Sequence, residues 1–284
     1  MRICSECKKI LKDDFFFCTE CGARVSEDFK EVKEANLKKD MLTFIGIFLC
    51  YFIIIPSIIS VGYVILNQIS SSMFPDPDLL TDESYLLLNM ILQDISNIFV
   101  LGLSVLIIHK AGKLKEALGL KKNSVKESFS DSFKKGLITF VCMYGAMYII
   151  NIISILLFPE ISEDSTNQSL VNELIQNFPV YAFFSIAIMA PIIEELIFRF
   201  FLCKPLEQKK KWLGIIISGL FFGGIHLVAS IQSNTLIDDL PSLVIYAGMG
   251  IVLGYRYIKT DNLMSNIFAH SIYNTISFIM ILAM

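Results

Sequence analysis

Apolar residues in this chain come in long blocks rather than in the alternation of a half-buried strand. A charged, mixed opening runs to about residue 40. Seven apolar runs follow, over residues 41–66, 85–109, 136–158, 179–203, 212–231, 240–257 and 263–284. Runs near or above about 18 residues have the length that crosses a hydrocarbon core about 30 Å thick as a helix. The pattern therefore predicts an all-α polytopic membrane protein of about seven spans. Residues 24–40 are predicted as a linker or short juxtamembrane helix. Residues 110–135 mix basic and apolar positions, which fits an amphipathic helix on the inner leaflet or a plain solvated loop.

Composition supports the membrane assignment. Hydrophobic residues make up 54% of the 284 and charged residues 18%, with a mean hydropathy of +0.62. A soluble domain carries about a quarter charged residues, so an ordinary cytosolic enzyme and a disordered chain are both excluded. The net charge of −3 leaves no global basic field for nucleic acid.

The distribution of charge sets the orientation. Nine of the 24 Lys and Arg residues lie in residues 1–40, eight between Lys110 and Lys135, four at Lys204, Lys209, Lys210 and Lys211, and two at Arg256 and Lys259. The last is Arg199, inside the fourth span. The alternate loops, 67–84, 159–178 and 232–239, carry acidic residues and no basic ones. The positive-inside rule puts the amino terminus in the cytosol and, with seven spans, the carboxyl terminus outside a plasma membrane.

Four of the seven cysteines sit in the first 21 residues, as Cys4-Ser-Glu-Cys7 and Cys18-Thr-Glu-Cys21. Two such pairs supply the four thiolates of a tetrahedral Zn²⁺ site, and four thiolates leave no open position, so the metal is structural. A cytosolic, reducing location disfavours disulfides. Residues 1–23 are thus predicted as a zinc ribbon, 24–40 as the linker and 41–284 as the transmembrane domain. The ribbon's role stays open among docking of a cytosolic partner, assembly and redox sensing. Cys50, Cys142 and Cys203 lie singly in apolar runs and are expected to be buried side chains.

Ionisable groups in lipid are costly and ask for a partner or a role. The fourth span carries Glu194, Glu195 and Arg199, the fifth His226, and the seventh His270 and Asn274, with Asn266 on the same stripe. Glu194 and His226 lie at equal offsets, 16 residues, from a turn near Lys210. Equal offsets in a helical hairpin mean equal depth. Glu195 and Arg199 are spaced i,i+4 and are expected to pair. Glu194, about 100° around the helix, is left to face a cavity. Pro191, just before it, removes a backbone hydrogen bond and predicts a kink. Asn89, Gln93 and Asn97 form a polar stripe on the second span, expected to serve interhelical hydrogen bonding.

These residues resemble a known family. Glu194-Glu195-x-x-Phe198-Arg199, Phe222-x-x-x-His226 and His270-x-x-x-Asn274 are similar to the three motifs of the CAAX-protease and bacteriocin-processing (CPBP, Abi) intramembrane proteases. The resemblance covers roughly residues 135–284. It implies hydrolysis of a peptide bond within the membrane. Glu194 would be the general base, His226 would position water, and His270 and Asn274 would donate to the oxyanion. Glu195 and Arg199 would support them. It implies a peptide or protein substrate, prenylated or not, with peptide maturation or bacteriocin self-immunity as settings, and no organic cofactor.

A metal version stays open. Glu194, His226 and His270 make a two-His, one-carboxylate set, although Asn274 suits an oxyanion donor better. Two other functions compete: a non-enzymatic adaptor recruiting a partner through its ribbon, and a transporter using Glu194 as a proton relay.

Overall fold

A computed structural model describes residues 2–3, 10–11, 21, 28–58, 60–62, 64, 82–117, 125–157 and 165–283. Helices dominate. α1 (Asp28–Leu49) runs on into a π-helical turn, Cys50–Ile54, and is followed by α2 (Asp82–Lys110), α3 (Val125–Leu157) and α4 (Thr166–Asn177). A composite helix, α5, covers residues 179–207. Then come α6 (Lys211–Ile225), α7 (Leu240–Thr260) and α8 (Leu263–Leu282). Two short strands, β1 (Arg2–Ile3) and β2 (Ile10–Leu11), pair antiparallel with Arg2 opposite Leu11. Of the expected ribbon ligands, Cys4, Cys7 and Cys18 lie outside the described residues, and Cys21 is exposed.

Three helical stretches among the described residues are long and apolar enough to cross a membrane: Leu37–Gly62, Ile91–Lys110 and Phe129–Leu156. The chain is a membrane protein. Helices α5 to α8 lie where the other four spans were expected, but each is shorter or less apolar than those three. α6 has only 15 residues. The apolar runs of α5 and α8 are broken by the same polar side chains that mark the site. Val141, Tyr148, Ile155 and Leu156 of α3 are exposed, as a lipid-facing helix surface requires.

Several boundaries depart from expectation. The predicted linker is helical from Asp28 and continuous with the first span. Within residues 110–135 the described residues, 110–117 and 125–135, are mostly helical and not a plain loop. Leu114–Ala117 is a single helical turn, and α3 runs from Val125, so Lys126, Lys134 and Lys135 extend the helix of the third span. α4 fills part of the expected loop 159–178, its first turn capped by Ser165, whose side chain accepts from the Gln168 N–H. The fifth span stops at Ile225 instead of running to residue 231. Gly223 and Gly224 weaken that end, and the last N–H groups tighten to i−3 carbonyls, His226 to Gly223 and Leu227 to Gly224, each at 3.2 Å.

The bundle packs α6 against α7, and α3 against both α7 and α8. Glycine makes the first of these contacts possible. A Cβ on Gly250 would lie 2.8 Å from the Gly219 Cα, and one on Gly223 would lie 2.7 Å from the Ala247 N. The backbones therefore meet directly. The core between the layers is apolar, with Met143, Ile197, Phe198, Leu202, Phe222 and Leu253 almost wholly buried. Asp261, in a left-handed conformation with φ 48°, ends α7 and turns the chain into α8.

Candidate active site

α5 carries the site because its winding is irregular. Two π-helical stretches, Phe183–Met189 and Glu195–Cys203, flank the short α-helical turn Ala190–Glu194. π-helical turns are frequent at functional sites because they re-aim side chains. Pro191 has no N–H, so the carbonyl it would have served in the i→i−5 register, that of Ile186, lacks that donor. Asn274 of α8 supplies one: its side-chain amide donates to the Ile186 oxygen at 2.9 Å. The kink expected at Pro191 is thus a π-to-α switch mended from a neighbouring helix.

Beneath the cavity lies a buried polar cluster. Glu195 and Arg199 are wholly buried and pair, Nε to Oε2, at 3.1 Å. Arg199 Nη1 also donates to Ser218 Oγ at 2.6 Å, and Ser218 donates on to the Phe198 carbonyl at 2.7 Å. The guanidinium lies 5.1 Å from the Phe222 ring centroid. Asn266 donates to Glu195 Oε2 at 3.0 Å and to the Leu253 carbonyl at 2.8 Å. The Nδ1 of His270 donates to Glu195 Oε1 at 3.2 Å. Glu195 therefore ties α5 to α8 through two side chains, Asn266 and His270. Removing one partner of such a buried pair costs about 3–5 kcal/mol, because the other charge is left uncompensated.

Above the cluster is a cavity of about 620 Å³ lined by Glu194, His226, His270 and Asn274 among others. Neither Glu195 nor Arg199 lines it. Glu194 reaches it because it is one residue, about 100°, around α5 from Glu195. Its Oε2 lies 3.7 Å from His270 Nε2, longer than a hydrogen bond. With Nδ1 committed to Glu195, Nε2 is the His270 nitrogen that faces the acid.

His226 caps α6. Its backbone N–H has moved to Gly223, so the Phe222 carbonyl is vacated, and the ring fills the gap with Nδ1 2.8 Å from that oxygen. A carbonyl only accepts, so Nδ1 is the donor and Nε2 is the ring nitrogen left over. The ring stacks on Tyr246 at 4.0 Å between centroids and 16° between planes, and the Tyr246 hydroxyl accepts from the Asn167 side chain at 3.1 Å.

Residues 176–276 match the family model described as Rce1-like, Type II CAAX prenyl endopeptidase Rce1-like. That interval holds Glu194, Glu195, Arg199, His226, His270 and Asn274, and leaves α1 to α3 outside. Two curated proteins are similar. One is the Bacillus subtilis (strain 168) protein "Putative membrane peptidase YdiL", 32% identical over 120 residues, covering 42% of this chain and 45% of that one. The other is the Lactococcus lactis subsp. lactis (strain IL1403) "UPF0177 protein YvdC", 23% identical over 143 residues, covering 50% and 51%. The chain spans about half the length of the curated relatives it matches. No solved structure matches it.

The six polar residues singled out from α5, α6 and α8 thus converge, in two layers: four on the cavity and two below it. Among the described residues no three His, Cys, Asp or Glu side chains come together as a set that fits a metal ion. In this structure Glu194, His226 and His270 do not form such a set. Gln93 and Asn97 do line the cavity, and they also bond across helices, Gln93 Nε2 donating to the Tyr51 hydroxyl at 3.5 Å. Tyr51 donates to Asn97 Oδ1 at 2.6 Å.

Three neighbours were not visible as site residues in the sequence. Ser218 has no sequence signal for its partnership with Arg199, which spans two helices. Tyr246 sits in an ordinary apolar span. Tyr51 lies in the first span, far outside the motifs.

Proposed function

We propose that the chain is an intramembrane endopeptidase of the CAAX-protease and Abi type, hydrolysing a peptide bond with water activated by Glu194. The observation that carries the reading is the division of labour between the two glutamates: Glu195 is consumed by Arg199, Asn266 and His270, while Glu194 stands on the cavity wall with His226, His270 and Asn274. The family match over residues 176–276 supports the same reaction class.

In this mechanism Glu194 takes a proton from water, and the water oxygen attacks the scissile carbonyl carbon. His226 positions that water through its free ring nitrogen. His270 and Asn274 donate to the carbonyl oxygen, where charge develops; for His270 this requires the imidazolium form, because its Nδ1–H already serves Glu195 and only a protonated Nε2 can donate. The tetrahedral intermediate collapses as the C–N bond breaks, and Glu194 returns the proton to the leaving amine. The substrate is a peptide or protein segment that enters the membrane, prenylated or not. Peptide maturation or self-immunity against a bacteriocin are the settings this chemistry fits. The amino-terminal cysteines complete the proposal: Cys4, Cys7, Cys18 and Cys21 hold a structural Zn²⁺ in a cytosolic ribbon that docks a partner, and the carboxyl terminus lies outside.

The test is incubation of the purified full chain with a peptide library, read by mass spectrometry. Wild type yields defined cleavage products, and Glu194→Gln slows their formation by about 10²–10⁴-fold, the usual contribution of a general base. Equal cleavage by both proteins would overturn the assignment.

A further inference from the structure

A second cavity, of about 260 Å³, lies among α1, α2 and the end of α5, away from Glu194. Its walls carry Lys39, Lys110, Lys113 and Lys204, against Asp40 as the acidic residue among its lining. Its inner wall is apolar: Ile108, Phe200 and Phe201 are all buried. Two of the lysines are engaged. Lys204 pairs with Asp261 at 2.7 Å, and Lys113 with Asp40 at 3.6 Å. Lys39 and Lys110 stand in neither pair and are exposed.

We propose that this cavity holds the phosphate headgroup of an anionic phospholipid. The lysines supply attraction for a phosphodiester at the basic edge of the bundle, where such side chains gain most from anionic lipid. The apolar wall argues for a lipid over a free phosphate, since a soluble anion gains nothing from phenylalanine. The exposed surface continues in the same sense. Leu42 and Leu106, next in sequence to the lining residues Thr43 and Ile107, are 68% and 58% exposed and offer an apolar track for acyl chains. A lipid seated here bridges α1 and α2, which lie outside the family match, to the π-helical part of α5. The inference stands apart from the hydrolytic reading, since none of its residues touches the larger cavity.

Native mass spectrometry of the full chain in detergent tests it, with phosphatidylglycerol and phosphatidylcholine of identical acyl chains as probes. Phosphatidylglycerol should be retained at least about tenfold more tightly. The double variant Lys39→Gln/Lys110→Gln should lose about tenfold or more of that affinity. Lys209→Gln/Lys210→Gln, the same charge change at the same end but outside the cavity, should lose none. Excess inorganic phosphate should leave the lipid bound. Equal retention of both lipids, or equal losses in both double variants, would overturn the proposal. So would displacement by inorganic phosphate, which would assign the cavity to a soluble phosphate.

Discussion

Glu194 and Glu195 are chemically identical neighbours, and rotation about the helix gives them different surroundings. Glu195 and Arg199 were legible in the sequence as an i,i+4 pair, and so was the separate face, about 100° around, left to Glu194. What the sequence hid were partners from other helices, such as Ser218 for Arg199 and Tyr246 for His226, because no spacing rule connects residues 19 or 20 positions apart on different helices. Asn274 is the informative test at this scale. Its amide has two N–H groups, and one is spent on the Ile186 carbonyl. With the second serving the oxyanion, Asn274→Ala lowers kcat by roughly 10²–10³-fold, the range for an oxyanion donor, with KM nearly unchanged. A lowered melting temperature with unaltered kcat would restrict Asn274 to mending α5.

At the scale of elements, the close approach of α6 and α7 is the most exacting feature. Leucine at Gly250 must displace the Gly219 backbone, whose Cα and O would lie 2.8 and 3.0 Å from the new Cβ. Gly250→Leu should therefore lower the melting temperature sharply or abolish folding, by more than the about 1–3 kcal/mol typical of overpacking. Gly145→Leu on α3, where nothing lies within 4 Å, should leave the melting temperature unchanged. Gly219 and Gly223, like Gly250 and Gly254, are spaced i,i+4 along the chain, but no spacing says which glycine meets which across two helices.

The start of α4 has a different anchor. Asp239, in the loop before α7, accepts from the Thr166 N–H at 3.1 Å and from the Thr235 hydroxyl at 3.1 Å. Burial alone would raise its carboxyl, but hydrogen bonds, those of Thr166 and Thr235 among them, outweigh it and hold the group below the ordinary aspartate range. A depressed carboxylate contributes stability that is present above its unfolded value, about 3.9, and is lost as pH falls through the folded value. Thermal melts from pH 7 down to pH 2 should show an acid-labile component that Asp239→Asn removes.

For the whole molecule, block hydropathy gave helices where spans were expected, because burial in lipid and burial in protein both demand apolar runs. It misjudged where they end. The Gly223-Gly224 stop and the capped α4 depend on single hydrogen bonds, which no running average detects. The zinc ribbon makes a separate prediction: the full chain carries one Zn²⁺ by elemental analysis, Cys18→Ser loses it, and cleavage by the membrane domain persists. Loss of cleavage with the zinc would instead join the two parts functionally. The central claim is that the cavity glutamate does the chemistry and the buried one holds the bundle. It is tested most directly by measuring cleavage rate and melting temperature together for Glu194→Gln and Glu195→Gln. The account predicts that Glu194→Gln melts like wild type yet cleaves about 10²–10⁴-fold more slowly, whereas Glu195→Gln melts lower. A Glu194→Gln enzyme that cleaves at the wild-type rate would contradict it.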